Sequence, residues 1–272
     1  MNKFSLALLL FLLGACSYHK SLPPSDPLLP DAAQAASPDV FLPQSLPTTK
    51  LPPPKLLCPN LDFHQWRTWQ DAGQAMKKAP MCFMGQTWQS ELSPALQACT
   101  VAVAHDQQYL IVYAEIHDAD IYNDIKKNGV PAFKSGDVFE IFLRPGHDSA
   151  YLEHHITPDN ATFQLTWPDA DTHRDGGHHP NWSTEFASNV SIVSQVLIQP
   201  EKKMWRILAL IPLDSIVHDF TLERDRAWRF SFSRYDYTHG EESPVYSSAS
   251  PHDKLDFHQQ EAWGYLDLLD KD

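Results

Sequence analysis

Beyond residue 100, apolar and polar positions alternate with a period of two, which predicts half-buried β-strands. Residues 109–116 place Leu110, Val112, Ala114 and Ile116 on one face. Trp228, Phe230 and Phe232 alternate with Arg229, Ser231 and Ser233. Shorter runs at 100–104 and 265–269 read the same way, and 138–143 is a dense apolar run expected for a buried strand. Two hairpins are predicted. One joins 151–157 to 161–167 through Pro158-Asp159-Asn160, and the other joins 190–198 to 204–211 through 199–203. Helical spacing occurs at 61–78, where Trp66, Trp69 and Ala72 share one side. Many strands and few helices predict an all-β domain, a two-sheet antiparallel β-sandwich of jelly-roll type.

The first 57 residues follow a different pattern. Lys3 precedes an apolar run, Phe4 to Leu13, that is too short to remain as a membrane-spanning helix. The run ends in Leu13-Gly14-Ala15-Cys16, which resembles a bacterial lipobox. The resemblance implies a signal peptide at 1–15, cleavage before Cys16, and acylation of Cys16 as the membrane anchor. Buried acyl methylenes tether a protein without making it span. Ser17, where an Asp would favour inner-membrane retention, points to the outer membrane of the cell envelope. Residues 17–57 hold 10 prolines and no sustained periodicity. Such a composition favours extended polyproline II, so 16–57 is expected to be a lipidated linker and 58–272 the folded domain.

Composition narrows the function. The formal net charge is −13 and the pI about 5.4, which excludes a protein that tracks nucleic-acid phosphates. Export would place Cys58, Cys82 and Cys99 in an oxidising compartment, where one disulfide and one free thiol are expected, with the pairing open. No G-x-S-x-G elbow, P-loop or G-x-G-x-x-G is present, and Glu241-Glu242 are adjacent rather than facing, so no catalysis is expected.

Five segments, in order, resemble family 9 carbohydrate-binding modules. They are Asp106-Gln107-Gln108-Tyr109-Leu110-Ile111-Val112, Gly136-Asp137-Val138-Phe139-Glu140-Ile141-Phe142-Leu143, Trp205 through Ile211-Pro212-Leu213, Trp228 through Tyr235, and Phe257 through Gly264. The resemblance covers roughly 81–269. The resemblance implies a sandwich that binds an oligo- or polysaccharide without cutting it, with two aromatic rings stacking a sugar and polar groups holding its hydroxyls. By motif position, Tyr246 and Phe133 fall where the family's rings lie, with Glu140 and Arg234 as hydroxyl-holding groups. Departures from the pattern are Leu208 for a glutamate, Ser231 for an asparagine, and Tyr246 for a tryptophan.

Other residues admit plainer readings. Glu140 shares a strand face with Val138 and Phe142, and as a buried carboxylate it needs a partner, for which Arg234 and Arg144 are candidates. Trp182 is either an exposed platform or a cap on the core. His154 and His155 point to opposite faces of one strand. His173, His178 and His179 share a polar loop with Asp169, Asp171 and Asp175 but lack closed metal-ligand spacing, so no metal site is assigned. No cofactor is called for, with calcium left open. The alternative to glycan binding is an interaction scaffold, or a haem-binding relative, that has lost sugar binding.

Overall fold

The computed structural model describes residues 27–29, 52–106, 108–176, 181–217 and 220–270. The signal peptide, Cys16, most of the linker, and His178 and His179 lie outside the described residues. The strands are β1 (Lys55–Cys58), β2 (Met81–Phe83), β3 (Cys99–His105), β4 (Tyr109–His117), β5 (Val138–Pro145) and β6 (Tyr151–Ile156). They continue with β7 (Thr162–Trp167), β8 (Val193–Gln199), β9 (Met204–Pro212), β10 (Ala227–Asp236), β11 (Val245–Ser248) and β12 (Gly264–Leu268). One sheet runs β1-β12-β10-β5-β6-β7, with β11 also pairing β10, and the other runs β2-β3-β4-β9-β8. The two-sheet β-sandwich expected from the alternation is the fold found.

The sheets meet over an apolar layer. Leu110, Val112, Ala114 and Ile116 of β4 face Phe139, Ile141 and Leu143 of β5 and Trp228, Phe230 and Phe232 of β10. Burial of each of the larger of these side chains contributes roughly 1.5–3 kcal/mol relative to exposure. Both predicted hairpins form, and each turn includes a left-handed residue, Asn160 at φ 58° and Lys203 at φ 48°.

The outer face of the five-stranded sheet is covered by helix α1 (Trp69–Met76), whose Trp69, Ala72 and Met76 pack on Ala102, Ala104, Ile111 and Tyr113. This helix is shorter than the expected 61–78. It starts at Thr68 because the Thr68 side chain accepts from the Asp71 N–H while Asp71 accepts from the Thr68 N–H, a reciprocal cap. It stops at Met76, shortly before Pro80, which disfavours helical geometry in the residue before it.

Two other departures have clear physical causes. The first strand begins at Lys55, inside the expected linker, and pairs in parallel with β12. Its alternation is short, with Leu56 and Cys58 buried and Lys55 and Leu57 exposed. Pro27–Leu29 also rests on the domain, the Leu28 N–H donating to Gln195 Oε1 at 2.7 Å. The expected disulfide is absent among the described residues. Cys58, Cys82 and Cys99 are free, buried thiols that fill inward positions of β1, β2 and β3 as small apolar groups, and burial pushes each thiol pKa up.

Candidate functional site

The site lies on the outer face of the seven-stranded sheet. Strand register selects its floor. Glu140 of β5 stands opposite His155 of β6 and Ser233 of β10. Because the side-chain period is two, Phe142, Glu153 and Tyr151 continue the same face, and across β7 so do Phe163, Leu165 and Trp167. On the other side, Tyr235 of β10 stands opposite Tyr246 of β11. The result is a cavity of about 410 Å³ with Glu140, Glu153 and His155 at its base.

Aromatic rings wall this cavity. Tyr235 and Tyr246 meet edge to face at 5.1 Å, and Phe257 lies 5.8 Å from Tyr235. Phe133 lies 5.9 Å from Tyr235 and 6.3 Å from Trp182. Trp182 belongs to the short helix Trp182–Glu185, is half-buried, and packs edge-on to Phe163 at 5.8 Å. It therefore caps the aromatic cluster of Phe163, Leu165 and Trp167 and at the same time walls the cavity, and it is not a free platform. The loop that carries Phe133 is held in place by Asn123, whose Nδ2 donates to the Ala132 and Asp137 carbonyls, and by Tyr237, whose hydroxyl donates to the Phe133 carbonyl. Gly136 closes this loop at φ 137°, where an added Cβ would meet Asn123 Cα and the Tyr122 carbonyl at 2.5 Å.

The floor is a charged network. His155 Nε2 lies 2.7 Å from Glu153 Oε1 and 3.2 Å from Glu140 Oε1. Trp167 Nε1–H donates to Glu153 Oε2 at 2.6 Å. The Glu153 and Glu140 environments push in opposite directions. Burial drives the Glu140 carboxyl well up, with His155 opposing and the Glu153 charge adding to the rise. Burial would raise Glu153 too, but His258, His155 and the Trp167 donor outweigh it and hold this carboxyl down. At the rim, His258 stacks on His173 with centroids 3.4 Å apart. Lys134 and Asp256 place one charge of each sign at the mouth.

Three of the four residues singled out in the sequence, Phe133, Glu140 and Tyr246, line this one cavity. Arg234 does not. It shares the face of Phe232 and Phe230, points between the sheets, and is fully buried. Its Nη2 lies 3.0 Å from Asp118 Oδ2 and 3.0 Å from Asp236 Oδ2, a structural ion cluster that ties β10 to the segment after β4. The physical reason is parity: Arg234 pairs with Phe139, one residue out of phase with Glu140. The partner of Glu140 is His155, rather than Arg234 or Arg144. His154, one position from His155, faces the inter-sheet side opposite Ile141, as alternation requires. Glu153, Tyr235, Phe257 and His258 were not assigned to the site from the sequence, although Tyr235, Phe257 and His258 fall within the quoted segments. For Glu153 a signal was present, since Tyr151, Glu153 and His155 occupy one parity of an otherwise buried strand.

The fold and site thus define a β-sandwich carrying an aromatic-walled, acid-floored cavity on one sheet face. The fold is shared with a candidate carbohydrate-binding protein of Bacteroides uniformis, at 12% identity over 80% of this chain and 98% of that one, with a TM-score of 0.54. Family 9 carbohydrate-binding modules of Caldicellulosiruptor kristjanssonii are also similar. One, in complex with cellotriose, is 15% identical over 72% of this chain and 86% of its own, with a TM-score of 0.47. Another, in complex with glucose, is 16% identical over 66% and 81%, with a TM-score of 0.44. No family model matches the chain, and no curated protein sequence matches it. At these identities the likeness is one of fold.

Proposed function

We propose that this protein is a non-catalytic carbohydrate-binding lipoprotein of the bacterial cell envelope. In this reading the cavity receives a sugar of an oligo- or polysaccharide. The observation that carries it is the cavity itself, with Phe133, Trp182, Tyr235 and Tyr246 presenting ring surfaces above paired carboxylates. A pyranose has C–H-rich faces that pack on aromatic rings and hydroxyls that need acceptors and donors, and this lining offers both. A volume of about 410 Å³ is within the range of small-ligand pockets. The fold shared with the Bacteroides protein supports the same reading.

A glycan array probed with the purified protein tests it. Tyr246→Ala should weaken binding of the recognised glycan about tenfold, because a stacking ring contributes about 0.5–1.5 kcal/mol beyond the area it covers. The fold should persist, since Tyr246 is only half-buried. If the wild type binds no glycan and Tyr246→Ala lowers the melting temperature by many degrees, the ring is structural and the interaction-scaffold reading replaces this one. If the variant binds as tightly as the wild type, the sugar sits elsewhere.

Anchoring rests on the Leu13-Gly14-Ala15-Cys16 box behind a short apolar run, with Ser17 supporting the outer membrane. Cys16→Ala should release the protein from membrane fractions or leave it unprocessed. A mature-sized, acylated Cys16→Ala protein that still fractionates with membranes would end the lipoprotein reading.

A further inference from the structure

We propose that the floor of the cavity binds a divalent first-row transition-metal ion through Glu140, Glu153, His155 and His258. One ligand atom each from Glu140, Glu153 and His155 lies within 4.8 Å of the other two. Small side-chain rotations would bring all three to the roughly 2.0–2.2 Å at which imidazole nitrogen and carboxylate oxygen ligate such an ion. His258 adds a fourth donor, its Nε2 standing 3.8 Å from Glu153 Oε2.

Three features separate this cluster from an ordinary buried ion pair. First, Glu140 is 2% exposed and lines the cavity, yet its Oε2 finds no hydrogen-bond partner among the described residues. A buried carboxylate oxygen without a donor is costly, and a cation on the floor would satisfy it. Second, outer partners of the kind that orient metal ligands are already in place. The Tyr151 hydroxyl is 2.8 Å from His258 Nδ1, which leaves Nε2 directed toward Glu153. The Trp167 N–H fixes Glu153 through Oε2. Such contacts set the ring orientation and basicity of ligands. Third, the ligands come from adjacent strands and from the loop before β12, so the sheet holds the donors in register while one side opens to the cavity. An ion there would keep a position free for water or for an oxygen of whatever occupies the cavity.

The donor set selects the ion class. Two imidazoles and two carboxylates suit Zn²⁺, Fe²⁺, Co²⁺ or Ni²⁺. Calcium takes six to eight oxygen ligands, and two imidazole donors leave the floor too few. The inference does not rest on glycan binding, and the two can fail separately.

The test uses the full-length protein, stripped with chelator and dialysed. Isothermal titration with Zn²⁺ should show one tight site per chain, and Ca²⁺ should not compete for it. Titration with Co²⁺ should give the visible d–d bands of a low-coordinate site with nitrogen ligands. Glu140→Gln and His155→Gln should each weaken Zn²⁺ binding at least tenfold, with circular dichroism reporting whether they fold. His258→Gln, whose ring is nearer the surface, covers the case in which those variants do not fold, and should weaken binding and alter the Co²⁺ spectrum. Absence of a stoichiometric site, or an affinity unchanged in folded Glu140→Gln or His258→Gln, overturns the proposal. Glycan binding measured on the stripped protein keeps the outcome separate from that of the sugar reading.

Discussion

Arg234→Met is expected to destabilise the protein by about 3–5 kcal/mol, the range for removing one partner of a buried ion cluster. Arg234 is fully buried, and its Nη2 contacts both Asp118 and Asp236 at 3.0 Å. Asp137, also buried, accepts from the backbone N–H groups of Tyr122 and Tyr237. Burial, then the charge of Asp118, pushes the Asp137 carboxyl up, while Arg234 opposes that rise. Removing the guanidinium leaves these carboxylates facing one another between the sheets. The pH dependence follows from the sign. Carboxyls whose folded pKa lies above the unfolded value destabilise at pH above that value, and the penalty disappears as pH falls below it. The loss should therefore be largest near neutrality and shrink toward pH 4. Urea unfolding at two pH values measures it. A second substitution, Asp118→Asn in the Arg234→Met background, should recover part of the loss, because one fewer buried charge is left unpaired. Because Arg234 lies on the sheet face away from the cavity, ligand binding by the remaining folded protein should be unchanged. If stability stays within about 1 kcal/mol of wild type while binding is lost, Arg234 is a ligand contact after all.

What the chain discloses before folding differs between its parts, and the difference is physical. Strands β4 and β9 are legible because one face is apolar over seven residues, and β10 because Trp228, Phe230 and Phe232 alternate with polar residues, so that a one-residue slip would move every core side chain to the other face. The cavity is only partly legible. Phe133, Glu140 and Tyr246 were reachable from motif position, but the choice between Arg234 and His155 as the neighbour of Glu140 depends on inter-strand register. Glu140 stands opposite Ser233 and His155, and Arg234 stands opposite Phe139. Nothing local in residues 227–236 carries that information, since a run in which Trp228, Phe230, Phe232 and Arg234 share one parity does not say that the last of them ends in a buried ion cluster. The histidines show the same dependence on the fold. Those at 173–179 lack closed metal-ligand spacing, and His173 reaches the cavity only by stacking on His258, while the acid-lined floor meets imidazoles from His155 on a strand and His258 in a distant loop. Cys58, Cys82 and Cys99 show the same limit. Compartment and count favour a bridge, while packing places three thiols as separate core residues.

A chain beginning at Cys58 should be less stable than one beginning at Pro52 by at least about 2–5 kcal/mol, the cost of losing one buried leucine side chain. Residues 52–57 look like the end of a proline-rich linker because Pro52, Pro53 and Pro54 precede only four strand residues. The pairing that makes them structural lies two hundred positions away, where Lys55–Cys58 runs parallel to β12. Leu56 is 4% exposed and joins the inter-sheet core. The Tyr265 N–H donates to the Pro54 carbonyl at 2.7 Å. Gly264 permits this close approach, since an added Cβ would meet the Pro54 carbonyl at 2.7 Å and the Phe230 ring at 2.6 Å. Deleting 52–57 would remove Leu56 from the core, uncover Leu266 and Leu268, and turn β12 into an open edge with unpaired backbone groups. Leu56→Ala in the longer chain isolates the side-chain share and should cost about 2–5 kcal/mol. Equal urea midpoints for the two chain lengths, with Leu56→Ala also silent, would return β1 to the linker. A large difference would instead make the strand part of the folded unit, with the tether ending before Pro52. Any binding experiment on a soluble fragment would then have to start there, because a sheet frayed at β12 would loosen the loop that carries Phe257 and His258 into the cavity.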